Sequence, residues 1–153
     1  MIAIRHVSKR FRSGEGDTID ALSDISLEVG KNEVVCLVGP SGCGKSTLLR
    51  LIGGLLPATQ GEIHIAGSRV DAPRADTGIA FQTATLLPWA RVLDNVLFPL
   101  KMMGRMRPDS HDKAISLLEL VGLKGFESRY PHELSGGMQM RAAVCRALVH
   151  DPL

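Results

Sequence analysis

The sequence predicts an α/β fold built around a phosphate-binding loop, and three observations carry that prediction. An unbroken apolar run, Val34-Val35-Cys36-Leu37-Val38, leads into the glycine-rich turn Gly39-Pro40-Ser41-Gly42-Cys43-Gly44-Lys45-Ser46-Thr47. The turn fits G-x-x-x-x-G-K-[ST] and is followed by helix-prone Leu48 to Ile52, the strand–turn–helix order in which this pattern marks a phosphate cradle. Strand patterns dominate the first half of the chain and helical stripes the second.

Taken in order, Ile2, Ile4 and Val7 suggest a first strand, and the polar segment Ser13-Gly14-Glu15-Gly16-Asp17 a loop. Ile25, Leu27 and Val29 alternate with Ser26 and Glu28, as in a half-buried strand. Val34 to Val38 does not alternate, which predicts a strand buried on both faces inside a parallel sheet. Ile63 and Ile65 predict a short strand, and Thr77 to Phe81 another, ending at Gln82. Beyond Pro88 the character becomes helical. Asp94 to Met103 reads as a helix that Pro99 should kink or interrupt. Ser110 to Val121 carries the stripe Ala114, Leu117, Leu118 and Val121, stopped by Gly122 with Leu123 after it. A last helix should run from Gly136 to Val149 with Ser135 as its N-cap.

The phosphate loop predicts its own chemistry. Its glycines permit backbone angles closed to other residues, so consecutive N–H groups turn inward as an anion nest. The helix starting near Lys45 adds its positive end. Lys45 is then placed to reach the β- and γ-phosphates, and the Ser46 hydroxyl to hold Mg²⁺. The competing reading, a plain tight turn with an exposed lysine, leaves the flanking strand and helix unexplained. A nucleoside triphosphate is the expected ligand.

Composition narrows the rest. The net charge of +2 points to no polyanionic partner, and 4% aromatics leave too few rings for a base-stacking nucleic-acid surface, so no nucleic acid is expected. A solvated strand edge explains Arg5, Lys9, Arg10 and Arg12 at least as well as a binding patch does. Cys36, Cys43 and Cys145 form no C-x-x-C pair and are expected as reduced thiols of a cytosolic protein. The five histidines lack metal-ligand spacing and are assigned surface or capping roles. No apolar run approaches the ~18 residues of a spanning helix.

Leu134-Ser135-Gly136-Gly137-Met138 is the second informative stretch. A serine and two glycines at a helix start leave several N–H groups pointing outward, a second anion-binding terminus. On its own it reads more readily as a serine-capped helix whose glycines permit close packing.

Together these stretches resemble the ATP-binding cassette (ABC) transporter ATPases, over the whole length of the chain. Gly39 to Thr47 matches the Walker A motif, and Gln82 the Q-loop glutamine, which in that family contacts Mg²⁺ and the attacking water. Ser135, Gly136, Gly137 and Met138 match the signature motif, continued by Gln139, Arg141, Arg146, Ala147 and Leu148. Phe11 matches the aromatic that stacks on adenine. Leu87-Pro88-Trp89, with Asp94-Asn95-Val96 and Met138, looks like the nitrate/sulfonate/taurine importer branch, with thiamine-precursor and other small-solute importers as alternatives.

The resemblance implies a P-loop NTPase fold: an ABC ATPase core with an N-terminal antiparallel β portion and a helical subdomain. Residues 1–87 would form the β-rich ATP-binding core, 88–134 the helical subdomain and 135–153 the signature helix. It implies ATP and Mg²⁺ as ligands and a head-to-tail homodimer with each ATP between one phosphate loop and the partner's Ser135-Gly136-Gly137. It also implies a membrane permease partner and a cytoplasmic location on the inner face of the membrane. Lys45 and Gln82 would carry catalysis, with Ser46 and Gln82 at the metal. No match to the family's Walker B carboxylates is found before Leu153, so the fold is expected to be incomplete at its C-terminus, marginally stable and slow in turnover. Two alternatives remain: an ATP-binding regulator without turnover, and another P-loop enzyme such as a kinase or GTPase, for which no guanine-reading motif is present.

Overall fold

Alternating apolar residues set the first strand, and its partners follow from them. The computed structural model describes residues 1–12, 14 and 17–153; Ser13, Glu15 and Gly16 of the expected loop lie outside the described residues. β1 (Ile2–Arg12) pairs antiparallel with β2 (Thr18–Val29), with Ile4 opposite Leu27 and Phe11 opposite Ile19. Its other edge pairs antiparallel with β3 (Gln60–Ile65), which turns back into the two-residue β4 (Ser68–Arg69). The order is β2-β1-β3-β4. β1 is therefore an interior strand, and its basic residues are not on a sheet edge. Two of them pair with acidic residues of the neighbouring strands, Arg10 with Asp20 at 2.6 Å and Arg5 with Glu62 at 3.5 Å.

The chain divides into two compact units, Met1–Arg74 and Ala75–Leu153. In the first, α1 (Lys45–Ile52) lays Leu48 and Leu51 against Ile4, Val7, Leu22 and Ile63 of the sheet. Burying each such leucine contributes about 1.5–3 kcal/mol. In the second, α2 (Val92–Met102), α3 (Ser110–Leu120) and α4 (Gly136–Leu148) enclose a core of Val92, Val96, Leu97, Leu100, Ala114, Leu118, Ala142 and Cys145. Gly122 adopts φ 72° and Leu123 behind it is fully buried, the stop that the sequence predicts.

Three expectations are corrected. Val34 to Val38 forms no strand, and Val34 and Val38 are 89% and 94% exposed. A strand apolar on both faces needs strands beside it and layers above and below, and no described segment pairs with this one. Thr77 to Phe81 likewise has no strand pairing; it runs close against α4, where a Cβ on Gly78 would lie 2.2 Å from the Ala147 carbonyl oxygen. The sheet is thus wholly antiparallel among the described residues. Pro99 does not interrupt α2, which runs on to Met102: its neighbours Leu97 and Leu100 are anchored in the core, and their burial offsets the lost hydrogen bond and the crowding of the preceding turn by the proline ring. His6, His111 and His132 are exposed as expected, while His64 Nδ1 and both ring nitrogens of His150 are buried without a hydrogen-bond partner.

Candidate nucleotide-binding site

The phosphate loop takes the conformation its glycines allow. Gly42 and Gly44 have φ of 83° and 95°, a region that side-chain-bearing residues rarely occupy. Gly44 is also the N-cap of α1, and a Cβ there would lie 2.6 Å from the Ala21 carbonyl oxygen and 2.7 Å from Leu22 Cδ2. Glycine at 44 therefore meets two demands, a left-handed turn and close approach to β2. Because the cap has no side chain, no side-chain acceptor occupies the start of α1, and no acidic residue sits in the first turn. The N–H groups and the positive end of the helix are left to an anion.

Lys45 Nζ donates to the carbonyl oxygens of Gly39 at 2.8 Å and Pro40 at 2.6 Å, and lies 3.4 Å from Cys43 Sγ. The ammonium thus sits on the loop it would serve, held by neutral acceptors that a phosphate oxygen outcompetes through charge. Ser46 is exposed beside it, and Ser41, Gly42 and Cys43 line the open side. The donor set fits an anion with a divalent cation: backbone N–H groups, one ammonium and one accessible hydroxyl.

Phe11 lies in the same unit, on β1, and is 38% exposed. Lys9 Nζ stands 5.2 Å from its ring centroid and donates to the Pro57 carbonyl oxygen at 2.7 Å. The sequence reading overlooked Lys9 in this connection, although residues two apart on a strand share a face.

The remaining expected residues belong to the second unit. Ser135 caps α4 with φ −63° and ψ 159°, and its Oγ accepts from the Met138 N–H at 3.3 Å. Ser135, Gly136 and Gly137 are exposed, and a Cβ at either glycine would meet nothing within 4 Å. Gln139 fixes this start from behind, its Nε2 donating to the carbonyls of Pro131 at 2.9 Å and Leu134 at 3.1 Å. Glu133 steadies the preceding turn: it accepts from the Tyr130 N–H at 2.7 Å and pairs with Arg129 at 2.9 Å. These contacts hold its carboxyl below the usual range.

Gln82 is exposed at a bend and not at the end of a paired strand. The loop after it is held firmly. Arg146 donates to the carbonyls of Thr85 at 2.9 Å and Ala84 at 3.0 Å. Asn95 is fully buried; its Oδ1 accepts from the Leu87 N–H at 2.7 Å and its Nδ2 donates to the carbonyls of Leu87, Ala90 and Arg91 at 3.0–3.1 Å. These bonds display Trp89, 75% exposed, at the tip of a fixed loop. A lone amide in the largely apolar stretch Val92 to Leu100, which Asp94 alone also interrupts, is the signal that could have revealed Asn95.

Comparison with known proteins agrees with this geometry. The sequence model of the ABC transporter family matches residues 22–153. An uncharacterized ABC transporter ATP-binding protein of Methanocaldococcus jannaschii is 44% identical over 151 residues, covering 99% of this chain and 56% of the relative. The taurine import ATP-binding protein of Rhizobium johnstonii is 43% identical over 152 residues, covering 99% of this chain and 58% of the relative. The chain thus spans somewhat more than half the length of these curated relatives. Among solved structures, a dimeric ATP-binding cassette in a post-hydrolysis state bound to ADP and Pi matches with a TM-score of 0.90 and 34% identity, over 99% of this chain and 71% of that one. Together with the open phosphate loop at the start of α1, these matches identify the chain as a member of the ABC transporter ATP-binding family.

Proposed function

We propose that this chain is the nucleotide-binding portion of an ABC importer ATPase that couples ATP binding and hydrolysis to uptake of a small solute. The single observation that carries the reading is the start of α1: two left-handed glycines, no side-chain cap, and Lys45 poised on the loop. The relatives' names support the importer branch, since several are taurine import ATP-binding proteins. A taurine-like sulfonate, or a nitrate-like anion, is the solute class proposed.

In this reading the N–H groups of Gly42 to Ser46 bind the β- and γ-phosphates, and Lys45 Nζ leaves the Gly39 and Pro40 carbonyls for the phosphate oxygens. The Ser46 hydroxyl and Gln82 would hold Mg²⁺, which when bound would supply charge neutralisation at the phosphates. Gln82 also orients the attacking water, and Phe11 stacks on adenine. Ser135, Gly136, Gly137 and Met138 of a second copy cap the triphosphate head to tail, a pairing supported by the dimeric cassette bound to ADP and Pi. The exposed, open start of α4 suits that use. The γ-phosphate then gives the closed pair its differential affinity. Gln82 and the segment 86–91, with Trp89 at its tip, pass the movement to a membrane permease at the cytoplasmic face. Among the described residues no helix is long and apolar enough to cross a membrane. Residues 1–87 serve as the ATP-binding core, 88–134 as the helical part and 135–153 as the signature helix.

Titration of the chain with Mg²⁺-ATP tests the reading. Lys45→Ala should weaken binding at least 10-fold, since hydrogen bonds to charged groups contribute about 1.5–3 kcal/mol. Equal affinity in the two proteins excludes the phosphate-loop assignment.

A further inference from the structure

We propose that Lys9 is a positioning residue for the base of the nucleotide, acting through Phe11. The inference rests on the reading of Phe11 as the adenine platform and adds what holds that platform in place. Lys9 and Phe11 stand two residues apart on β1, on one face of the strand. The Lys9 ammonium is 5.2 Å from the ring centroid, within the range where a cation is attracted to an aromatic face. The same ammonium donates to the Pro57 carbonyl oxygen at 2.7 Å. Pro57 lies just beyond α1, between Leu56 and Ala58, both packed on the core of the first unit. One side chain therefore connects the ring to the segment that follows the phosphate-loop helix.

Neighbouring bonds keep this arrangement in register. The Thr59 N–H donates to the Ser8 carbonyl at 2.9 Å, and the Arg10 N–H to Thr59 Oγ1 at 3.0 Å. Across the strand pair, Arg10 Nε donates to Asp20 Oδ1 at 2.6 Å. Ser8, Lys9 and Arg10 are thus each fastened, and Phe11 at the end of the run keeps open surface for a ligand.

Two effects follow for a base on the opposite face of the ring. The cation draws on the negative face of the Phe11 quadrupole, which lessens repulsion with the electron-rich face of a purine. The ring is also ordered before the ligand arrives, so binding does not have to restrict it. Neither effect reaches the phosphates, and this separates Lys9 from the residues of the phosphate loop.

The test is equilibrium titration of the full chain, at fixed Mg²⁺, with ATP and with inorganic tripolyphosphate, which has no base. Lys9→Met keeps most of the stem and removes the charge. Its ATP affinity should fall about 3- to 10-fold while its tripolyphosphate affinity stays unchanged. Lys9→Arg should return ATP affinity to within about 2-fold of the unsubstituted chain, because the cation is retained. In a Phe11→Leu background, Lys9→Met should have no further effect. Unfolding midpoints measured for every variant keep loss of fold apart from loss of the base contact. Unchanged ATP affinity in Lys9→Met, equal losses for both ligands, or an effect that persists without Phe11 each overturn the inference and leave the phosphate-loop reading standing. An unsubstituted chain that binds neither ligand overturns both.

Discussion

Helices α1 and α4 both begin at glycine-bearing turns, yet they deal with their first N–H groups in opposite ways. At α1 the cap is Gly44, in a left-handed turn at φ 95° that excludes other side chains and close against β2, and no side chain accepts from the first turn. At α4 the cap is Ser135, in relaxed extended backbone, and its hydroxyl accepts from Met138. The glycines after it are unstrained and unobstructed. The first terminus is open because its cap has no acceptor to offer; the second is satisfied on one N–H and exposed on the rest. An open cap and an added cation suit a site that makes the first grip on an anion. A relaxed, protruding terminus suits a surface that completes a site from outside.

The sharpest way to break this comparison is to add a methyl group at each terminus. Gly44→Ala forces a side chain into the left-handed region and onto Ala21 and Leu22, and should cost about 2–4 kcal/mol of stability. Gly137→Ala meets nothing and should be neutral or stabilising by up to about 1 kcal/mol. Urea unfolding of both variants reads the difference; comparable losses would remove the claim that only the first terminus requires glycine.

A slightly smaller effect is expected where the second unit holds its exposed loop. Asn95→Ala leaves the Leu87 N–H and three carbonyls without their side-chain partner and should destabilise by about 2–3 kcal/mol. Trp89 is the single tryptophan of the chain, so its fluorescence anisotropy reports the loop directly. Anisotropy should fall in the variant; an unchanged value would mean that other contacts fix Trp89.

The sequence revealed the parts of this picture that depend on near neighbours. Gly39 to Ser46, the Ser135 cap and the Gly122 stop are legible because turn and cap chemistry is set within about four residues. The stripe Ala114, Leu117, Leu118 and Val121 is legible for the same reason. Val34 to Val38 was misread because an apolar run states a wish for burial, while strand formation depends on a partner elsewhere in the chain. Thr77 to Phe81 failed likewise. The Lys9–Pro57 contact spans 48 residues, and no local pattern announces it. Asn95 sits in plain view in the sequence, but its four bonds appear only when the loop before α2 folds back on it.

Smaller changes sharpen the contrast at α4. Ser135→Ala removes the acceptor of the Met138 N–H and should cost about 1 kcal/mol. No equivalent substitution exists at α1, whose cap has no side chain to remove. A loss below about 0.3 kcal/mol in urea unfolding would show that the Ser135 hydroxyl does not cap the helix. Smallest is the acid response of the turn ahead of α4. Glu133 has its folded pKa lowered by the Tyr130 N–H and by Arg129. Its contribution is therefore complete above the ordinary value of 4.5 and is lost as pH falls through the lowered one. Glu133→Gln should flatten the stability profile below that value; an identical acid limb in both proteins would contradict the assignment.

Backbone amide shifts followed by NMR during titration with Mg²⁺-ATP address the α1 terminus most directly. The amides of Gly42, Gly44, Lys45 and Ser46 should move first and furthest, with those of Gly136 and Gly137 unmoved while the chain stays monomeric. Shifts confined to other segments, with the amides at the start of α1 stationary, would contradict the account.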